Sequence, residues 1–442
     1  MGAGKSTLGP VLAERLGRPF VSVDEAVEER TGVSIVELFA TRGEAAFRAL
    51  EEQAAADVLG RRQLVVVELG GGALGAGGTR ALLAAQAFTL HVETTPEEAW
   101  ERVAGSDRPL ARDPESFRAL YEQRRPLYEA ADGVAADVDG AVLAAAGVRL
   151  APHSSARGDA VVADAQVAEL HDLDATHLVP PGEAAKTIAE AERLWRALRL
   201  ERGSTLVAIG GGTTTDLAGF VAATYLRGIP WIAVPSTLVG QVDAAIGGKT
   251  GIDLPAGKNL VGAFHWPVAT VVDTQLLATL PAEEWENGRA EVVKTGLLAG
   301  EPVWELDAAE QVRRCAAFKA AICLRDPLER GERSQLNLGH TFAHALEAAS
   351  DYRLSHGHAV ALGLTAALRL SGLDEDARLV GELLRPAKAA VDRDRAWAAL
   401  ARDKKVQKGR IRLVLLDAPG RPRLVSDVPP EHVRAALDAL VA

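Results

Sequence analysis

The strongest constraint on the fold is an alternation of short apolar runs with amphipathic helical stretches, which continues to about residue 275. Residues 190–201, for example, show helical periodicity between two apolar runs. The runs that predict short buried strands are residues 65–67, 89–92, 206–209, 231–234 and 269–272. Strands that alternate with helices build parallel βαβ units, so the pattern predicts an α/β fold with parallel sheets.

The chain changes character after Pro281. Strand signals fade, and long Ala- and Leu-rich helical patterns cover residues 312–324, 338–349 and 360–370. One short strand is predicted near the end, at residues 411–416. We therefore expect a mostly α-helical domain over residues 281–442.

A seam between two folded parts is predicted near residues 130–160. Residues 131–146 are low in complexity, and residues 151–158 contain Pro, Ser and Gly without periodicity. This composition is typical of a linker. The predicted domains are residues 1–146, 147–280 and 281–442.

Charge and hydropathy exclude several classes of function. The net charge of −11 at pH 7 disfavours nucleic-acid binding, so an anionic ligand needs a local basic cluster. No apolar run approaches the roughly 18 residues of a membrane span, and no secretory signal is evident, so we expect a cytoplasmic protein. Cys315 and Cys323 are too few for a disulfide framework, and we expect both to be buried thiols.

The first residues, MGAGKSTLG, contain the second half of a phosphate-binding P-loop. Glycines let backbone N–H groups point at phosphate oxygens, Lys5 would reach the outer phosphates, and the Ser6 hydroxyl would ligate Mg²⁺. The full pattern needs a glycine two positions before Met1 and a strand that leads into the loop. This sequence contains neither, so we expect its first domain to fold poorly.

Further motifs appear in order after this loop. They are Asp24 in FVSVDEAVEERTG, Arg48 at the end of GEAAFR, the triple glycine Gly70–Gly72, Arg108 in RPL, and Arg124 before PLY. With these motifs, residues 1 to about 131 resemble the shikimate kinases. The resemblance implies a P-loop kinase-like parallel sheet and phosphate transfer from ATP to the 3-hydroxyl of shikimate, with Mg²⁺.

The resemblance also implies residue roles. Asp24 would bind the shikimate hydroxyls and help to activate the nucleophile, whereas Arg48 and Arg124 would hold the carboxylate. The backbone of Gly71 and Gly72 would approach the ring. The residues implied to bind ATP are Gly2, Gly4, Lys5, Ser6, Thr7 and Arg108, and Ser6 would also ligate the metal.

Two positions depart from the kinase pattern. Ser22 stands where the family usually has an acidic residue associated with Mg²⁺, and Glu68 stands where a small or hydroxyl residue is usual. We hypothesise that Glu68 supplies the carboxylate that Ser22 lacks. The alternative is that the first domain is an inactive kinase kept as a folding or assembly surface.

A second glycine-rich turn, GGGTTTD, follows the predicted strand at 206–209 and precedes an apolar helix. Glycines at such a turn let the backbone approach a pyrophosphate at a helix N-terminus. The next stretch, VDAAIGGKTGIDLPAGKN, is dense in Gly and Lys. Single lysines and arginines in apolar context indicate the basic cluster that an anionic substrate requires. Those residues are Lys249, Lys258, Lys294, Lys319 and Arg333.

Four histidines within a short span indicate a metal site. His340 and His344 lie at i and i+4 on one helical face, and His356 and His358 follow in LSHGHAV. Imidazoles with a carboxylate suit Zn²⁺, and an open coordination position would make the metal catalytic. Spacing alone does not say which of the four binds.

Together these features resemble the 3-dehydroquinate synthases over residues 147–442. The motifs that carry the resemblance are PGEAAK, GGGTTTD, YLRG, VPSTL, VDAAIGGKT, GKNLVGAF, AEVVKTG, LNLGHTFAHALE, HGHAV and DKK. The resemblance implies a Rossmann-like α/β domain followed by a mostly α-helical domain, with NAD and Zn²⁺ or Co²⁺ as cofactors. A homodimer is expected.

The resemblance assigns site residues as well. The metal ligands would be Glu291, His340 and His356. The NAD site would consist of Glu183, Lys186, Gly211, Gly212, Thr213, Asp216, Ser236, Thr237, Lys249, Lys258 and Thr279. The substrate would contact Arg227, Asp243, Lys249, Asn259, Lys294, Lys319, Arg333, Asn337, His344 and Lys404, of which Lys249, Lys294, Lys319, Arg333, Asn337 and His344 would be catalytic.

The implied reaction converts 3-deoxy-D-arabino-heptulosonate 7-phosphate, a phosphorylated sugar acid, to 3-dehydroquinate and phosphate. NAD⁺ would oxidise the C5 hydroxyl, phosphate would be eliminated, and the hydride would return before ring closure. His358 stands where the family usually has Glu; it would orient His356 or bind the metal itself, and we favour the first. A metal-dependent polyol dehydrogenase is the rival, although it would lack the cluster of Lys249, Lys258 and Lys294.

Overall fold

The computed structural model describes residues 2–106, 110, 113–255, 257–402 and 411–442. These residues form two compact units, Met1–Ala145 and Ala146–Ala442. The predicted division near residue 280 falls inside the second unit. No helix among the described residues is long and apolar enough to span a membrane.

The first unit contains two separate pairs of parallel strands. Its elements are α1 (Lys5–Arg15), β1 (Phe20–Ser22), α2 (Val23–Thr31), α3 (Ile35–Leu59), β2 (Val66–Glu68), α4 (Gly77–Gln86), β3 (Leu90–Val92), α5 (Pro96–Val103), α6 (Pro114–Glu129), β4 (Gly133–Ala135) and α7 (Val138–Ala145). Strand β1 pairs with β2, and β3 pairs with β4. Helix α3 is kinked at Gly43, whose φ is 76°.

The second unit begins with a Rossmann-like layer. Its elements are β5 (Val148–Leu150), β6 (Ala160–Asp164), α8 (Ala165–Leu170), β7 (His177–Val179), α9 (Ile188–Ala197), β8 (Leu206–Gly210), α10 (Gly212–Thr224), β9 (Trp231–Pro235), β10 (Lys249–Leu254), β11 (Gly257–Phe264) and β12 (Ala269–Val272). Six strands form a parallel sheet in the order β5-β12-β9-β8-β6-β7. The strand order reverses between β6 and β8, and ligands bind at such a switch point.

The rest of the second unit is mostly helical, which confirms the predicted fold class. Its elements are α11 (Ala282–Ala299), α12 (Ala308–Arg325), α13 (His340–Ala349), α14 (His356–Leu370), α15 (Asp374–Leu384), α16 (Arg393–Arg402), β13 (Leu413–Ala418), β14 (Arg421–Val425) and α17 (Pro430–Asp438). Helices α13 and α14 pack closely because Gly339 and Gly363 meet backbone to backbone. This packing fixes the two histidine-bearing helices against each other.

One sequence-based prediction needs correction, and one hairpin was not predicted. The segment predicted as a linker is folded: residues 131–146 include β4 and α7, and β5 pairs with β12 at the edge of the large sheet. The low complexity of this segment suggested a linker. However, Ala and Val are equally suitable residues for a small buried helix such as α7. The Gly- and Lys-rich stretch forms an antiparallel hairpin, β10 with β11, which the sequence analysis did not predict.

Candidate active sites

Three side chains from three helices of the second unit converge on one point. Glu291 comes from α11, His340 from the start of α13 and His356 from the start of α14. One ligand atom of each lies within 4.8 Å of the others. The Nε2 atoms of His340 and His356 lie 3.4 Å and 2.9 Å from Oε1 of Glu291. This set of two imidazoles and one carboxylate fits a divalent ion such as Zn²⁺.

The other ring nitrogen of each histidine has its own partner. Nδ1 of His340 lies 3.1 Å from the Leu338 carbonyl, and Nδ1 of His356 lies 3.0 Å from Oε1 of Glu347. An Nδ1–H that donates to these oxygens leaves Nε2 as the ligand atom, which is the usual arrangement at zinc sites. Glu347 was not among the predicted site residues. It lies seven residues after His340, on the same face of α13.

Burial and charge give the two histidines opposite pKa shifts. Burial, reinforced by Lys294, lowers the pKa of His340 to about 4, so this imidazole is neutral. Burial also opposes charge on His356, but hydrogen bonds with Glu291 and Glu347 raise its pKa to about 10. A proton on His356 thus takes the place of a cation between two carboxylates, and a metal ion would displace it.

A buried chain of alternating charges adjoins the histidines. Lys294, 2% exposed, forms an ion pair with the fully buried Glu291 one helical turn away. On its other side Lys294 lies 3.8 Å from a carboxylate oxygen of Asp243, on the π-helical turn Gly240–Ala244, and Lys319 lies 2.5 Å from the second oxygen. Although burial opposes charge, Asp243 and Glu291 raise the pKa of Lys294. Lys294, one of the predicted catalytic lysines, therefore stays cationic beside the metal ligands.

Arg333 supplies a second buried positive charge. Its side chain is only 1% exposed, and Nη1 donates to the Pro327 carbonyl at 3.1 Å. Nε is buried and has no hydrogen-bond partner in the described part of the chain. A buried guanidinium donor without a partner is unfavourable unless a ligand satisfies it. Gly247, with a φ of 97°, makes room because a Cβ there would lie 2.6 Å from Nη2 of Arg333.

Glu329 connects two of the predicted substrate-binding residues. Its Oε2 lies 2.6 Å from Nζ of Lys249, and its Oε1 accepts from Asn337 at 3.4 Å. Burial lowers the pKa of Lys249, whereas Glu329 counteracts the shift. The sequence analysis gave Glu329 no role. It lies in the loop before the turn Glu332–Asn337, with a φ of 55°.

The remaining predicted substrate contacts are placed less centrally. Arg227 and Asn259 both have left-handed backbones, with φ of 68° and 54°, a strained conformation that is common at binding sites. Arg227 is exposed, and no predicted site residue in the described ranges is hydrogen-bonded to it. His344 is exposed, with its ring perpendicular to that of His340 at 5.5 Å. Lys404 lies outside the described residues.

The GGGTTTD turn links β8 to α10 at the switch point of the sheet. Gly211 precedes the helix, and Gly212 and Thr213 lie in its first turn. A Cβ on Gly211 would lie 3.1 Å from the Thr237 side chain, a tight contact that glycine avoids. The Ser236 N–H donates to the Gly210 carbonyl at 2.8 Å and ties the end of β9 to this turn. The geometry suits a dinucleotide pyrophosphate.

Two ion pairs flank this turn. Lys186 lies 2.5 Å from Asp216, and Lys258 lies 2.8 Å from Glu183. Burial would lower the pKa of Lys186, but Asp216 raises it. Four predicted cofactor residues therefore come together in two pairs. Thr279 instead contacts His171, with Oγ1 and Nε2 at 2.8 Å.

In the first unit, the P-loop residues line a cavity of ≈ 270 Å³. Gly2, Lys5, Ser6 and their neighbours form one wall, and Glu68 and Arg102 lie opposite them. Gly4 caps α1 in a left-handed conformation, with φ of 85°. The cavity thus contains the glycine-rich backbone, lysine and hydroxyl that a nucleotide phosphate and its Mg²⁺ require. Thr7 also lines it, whereas Arg108 lies outside the described residues.

The predicted shikimate residues of the first unit surround its triple glycine. A Cβ on Gly72 would clash with the Arg48 guanidinium, and one on Gly70 would lie 3.1 Å from Oδ1 of Asp24. Arg124 donates to the Gly71 carbonyl at 3.1 Å. Two further residues join them that the sequence analysis missed. Buried Glu51 pairs with Arg48 at 2.6 Å, and the Tyr128 hydroxyl donates to Gly71 at 2.6 Å.

His358 has neither of its predicted roles. Its Nε2 lies 2.6 Å from the Ala387 carbonyl, and Glu347 takes the position beside His356 that His358 was expected to fill. Residues two apart on a helix point to opposite sides, so His356 and His358 cannot both face the metal ligands. The prediction that His358 orients His356 or binds metal is therefore wrong.

The matches to known protein families divide along the two units of the chain. Residues 1–147 match the model of shikimate kinase, 176–287 that of the 3-dehydroquinate synthase N-terminal region and 288–406 that of its C-terminal region. A 3-dehydroquinate synthase of Symbiobacterium thermophilum is 40% identical over 367 residues, which cover 73% of this chain and 99% of that protein.

Two solved structures resemble the chain. A 2-deoxy-scyllo-inosose synthase with carbaglucose-6-phosphate, NAD⁺ and Co²⁺ is 25% identical, with a TM-score of 0.55 over 63% of this chain and 89% of that one. A 2-epi-5-epi-valiolone synthase of Streptomyces hygroscopicus subsp. jinggangensis, with NAD⁺ and Zn²⁺, is 27% identical, with a TM-score of 0.54 over 67% and 91%.

Proposed function

The chain belongs to the 3-dehydroquinate synthase family and joins it to a shikimate kinase domain, and from this premise we propose how each domain performs its reaction. The observation that carries the synthase proposal is the convergence of Glu291, His340 and His356 beside the buried Lys294. A polyol dehydrogenase would not require this excess of buried cations.

We propose that Glu291, His340 and His356 hold Zn²⁺ or Co²⁺. Such an ion would supply a Lewis acid for the substrate alkoxide, and NAD⁺ at the turn after β8 would supply a hydride acceptor. The NAD-binding and metal-bearing neighbours of similar fold support this assignment. Lys294 adds a fixed positive charge at the same point and favours the deprotonated substrate oxygen.

Arg333 and Lys249 are suited to hold the phosphate of the sugar acid. The Nε–H of Arg333, which has no partner among the described residues, would donate a hydrogen bond to the phosphate. Lys249 would leave its ion pair with Glu329 and bind the phosphate when substrate binds. Asn259 and Asn337 would position the hydroxyl groups. His344, exposed beside His340, would exchange a proton with the departing phosphate.

Phosphate release from 3-deoxy-D-arabino-heptulosonate 7-phosphate tests the synthase proposal, with bound metal measured in parallel. We expect His356→Ala to lose its metal and its activity. His358→Ala removes an imidazole from the same helix and should retain both, because the Nε2 of His358 is directed to the Ala387 carbonyl and not to the metal ligands. Equal metal content in the two variants would contradict the ligand assignment.

For the first unit we propose phosphate transfer from Mg²⁺–ATP to shikimate. Lys5 would neutralise the transferred phosphate, Arg48 and Arg124 would hold the carboxylate, and Asp24 would accept the hydroxyl proton. Shikimate-dependent ADP formation should disappear in Lys5→Met while synthase activity persists. If the unchanged chain forms no ADP with shikimate, the domain is an inactive remnant, the alternative considered above.

We propose a cytoplasmic location, because the synthase draws on NAD and the kinase on ATP. We also propose a homodimer, which light scattering of the purified chain would test.

A further inference from the structure

We infer that Glu68 supplies the carboxylate that holds Mg²⁺ in the nucleotide site of the first unit. The inference rests on the proposed kinase function, and it adds a metal-positioning residue to that site. The Ser6 hydroxyl donates to Oε1 of Glu68 at 2.8 Å. Ser6 is the P-loop hydroxyl that ligates Mg²⁺ in this class of site. Glu68, its hydrogen-bond partner, would therefore lie next to the ion.

The cavity itself singles out Glu68. Among the described residues that line it, Glu68 is the one carboxylate, whereas Lys5 and Arg102 are cationic. P-loop enzymes hold Mg²⁺ with two protein groups, the loop hydroxyl and a carboxylate at the end of a neighbouring strand. Glu68 is the last residue of β2, so both groups are present and in contact. These residues therefore fit Mg²⁺.

The strand register explains why a single carboxylate suffices. Ser22 and Glu68 are direct partners across the parallel pair β1–β2. Their side chains therefore leave neighbouring strands at the same level, and either position could bring a carboxylate to one place. Ser22 instead caps α2, because its Oγ accepts from the Glu25 N–H at 3.3 Å. In this chain the carboxylate is therefore supplied from β2, by Glu68, and not from β1.

The negative charge of Glu68 distinguishes a metal-binding role from a purely structural one, because it affects nucleotide and metal binding in opposite directions. Without metal, the Glu68 carboxylate repels a nucleotide phosphate, and with Mg²⁺ it attracts the ion. Glu68→Gln keeps the size and the capacity to accept from Ser6. It should therefore leave metal-free ADP binding unchanged or tighter, while Mn²⁺ affinity in the ADP complex falls about 10- to 100-fold, as for other residues that support metal ligands.

The test uses the full chain, with ADP binding measured by calorimetry and Mn²⁺ binding by electron paramagnetic resonance. Glu14→Gln serves as control, since Glu14 is exposed in the last turn of α1, about 15 Å along the helix from the P-loop. Glu68→Gln/Ser22→Asp should regain Mn²⁺ affinity, because Asp at 22 restores a carboxylate and remains a good helix cap.

Three results would overturn the inference. Mn²⁺ affinity of Glu68→Gln equal to that of Glu14→Gln would remove Glu68 from the metal site. A loss that Ser22→Asp does not restore would assign the effect to packing. An unchanged chain that binds no ADP would refute the kinase function itself, so the two failures are distinguishable.

Discussion

Glu347 offers the sharpest test of the metal site, because it is predicted to act only through His356. Its carboxylate is buried, lies 3.0 Å from Nδ1 of His356, and keeps a lowered pKa; burial opposes that shift, but His356 drives it. In Glu347→Gln the amide oxygen can still accept from Nδ1–H. The variant therefore loses the charge of the partner while it keeps the hydrogen bond.

The magnitude follows from hydrogen-bond energetics. A hydrogen bond to a charged group contributes about 1.5–3 kcal/mol, and a neutral one about 1 kcal/mol. The difference of about 0.5–2 kcal/mol corresponds to about 2- to 30-fold weaker Zn²⁺ binding. Glu347→Ala should weaken binding further, because it also removes the hydrogen-bond partner of the His356 Nδ1–H.

Competition with a chromophoric chelator at neutral pH would measure the Zn²⁺ affinities of these variants. Glu375→Gln is the control, because its side chain is 94% exposed. The expected order of affinity is wild type, then Glu347→Gln, then Glu347→Ala, with the control equal to wild type. If Glu347→Gln binds Zn²⁺ within twofold of the control, Glu347 does not orient His356.

Three further predictions concern other parts of the second unit. Gly247→Ala should lower the melting temperature and substrate affinity, because its Cβ would lie 2.6 Å from Arg333 in a backbone with φ of 97°. Burial raises the pKa of the Cys315 thiol to about 12, so the thiol should resist alkylation at pH 8 in the native protein but not after unfolding. The stability of the fold should also decrease above about pH 9, because the thiol ionises there only in the unfolded chain. Lys258→Met, which leaves Glu183 without its 2.8 Å partner, should weaken NAD binding about tenfold by calorimetry without altering Zn²⁺ content.

The motifs predicted much of the site because they encode local geometry. Glycines before α10 and at the P-loop mark turns where a phosphate can approach the backbone, whatever surrounds them. Likewise, His340 and His344 at i and i+4 must share a helical face. The resemblance to known families then suggested which side chains combine, and the structure places Glu291, His340 and His356 together.

Local patterns could not supply the partners of those side chains. Glu347 and Glu51 were missed because a glutamate on a helix looks solvated until its burial is known. Glu329 was missed because it lies in a loop and its ion-pair partner, Lys249, is distant in sequence. His358 was misassigned because its spacing from His356 was weighed as proximity, although a helix turns about 100° per residue and separates the two.

The sequence by itself determined many of the strands and helices, the glycine turns, the identity of the candidate ligands and the order of the two domains, since each depends on neighbours along the chain. Tertiary structure decided which nitrogen of each histidine faces the metal position, which carboxylates are buried, and that Glu68 rather than Ser22 contacts Ser6. These outcomes depend on packing between segments distant in sequence. The free energy of a buried charge is set by all of its neighbours, and no single stretch of the chain contains them.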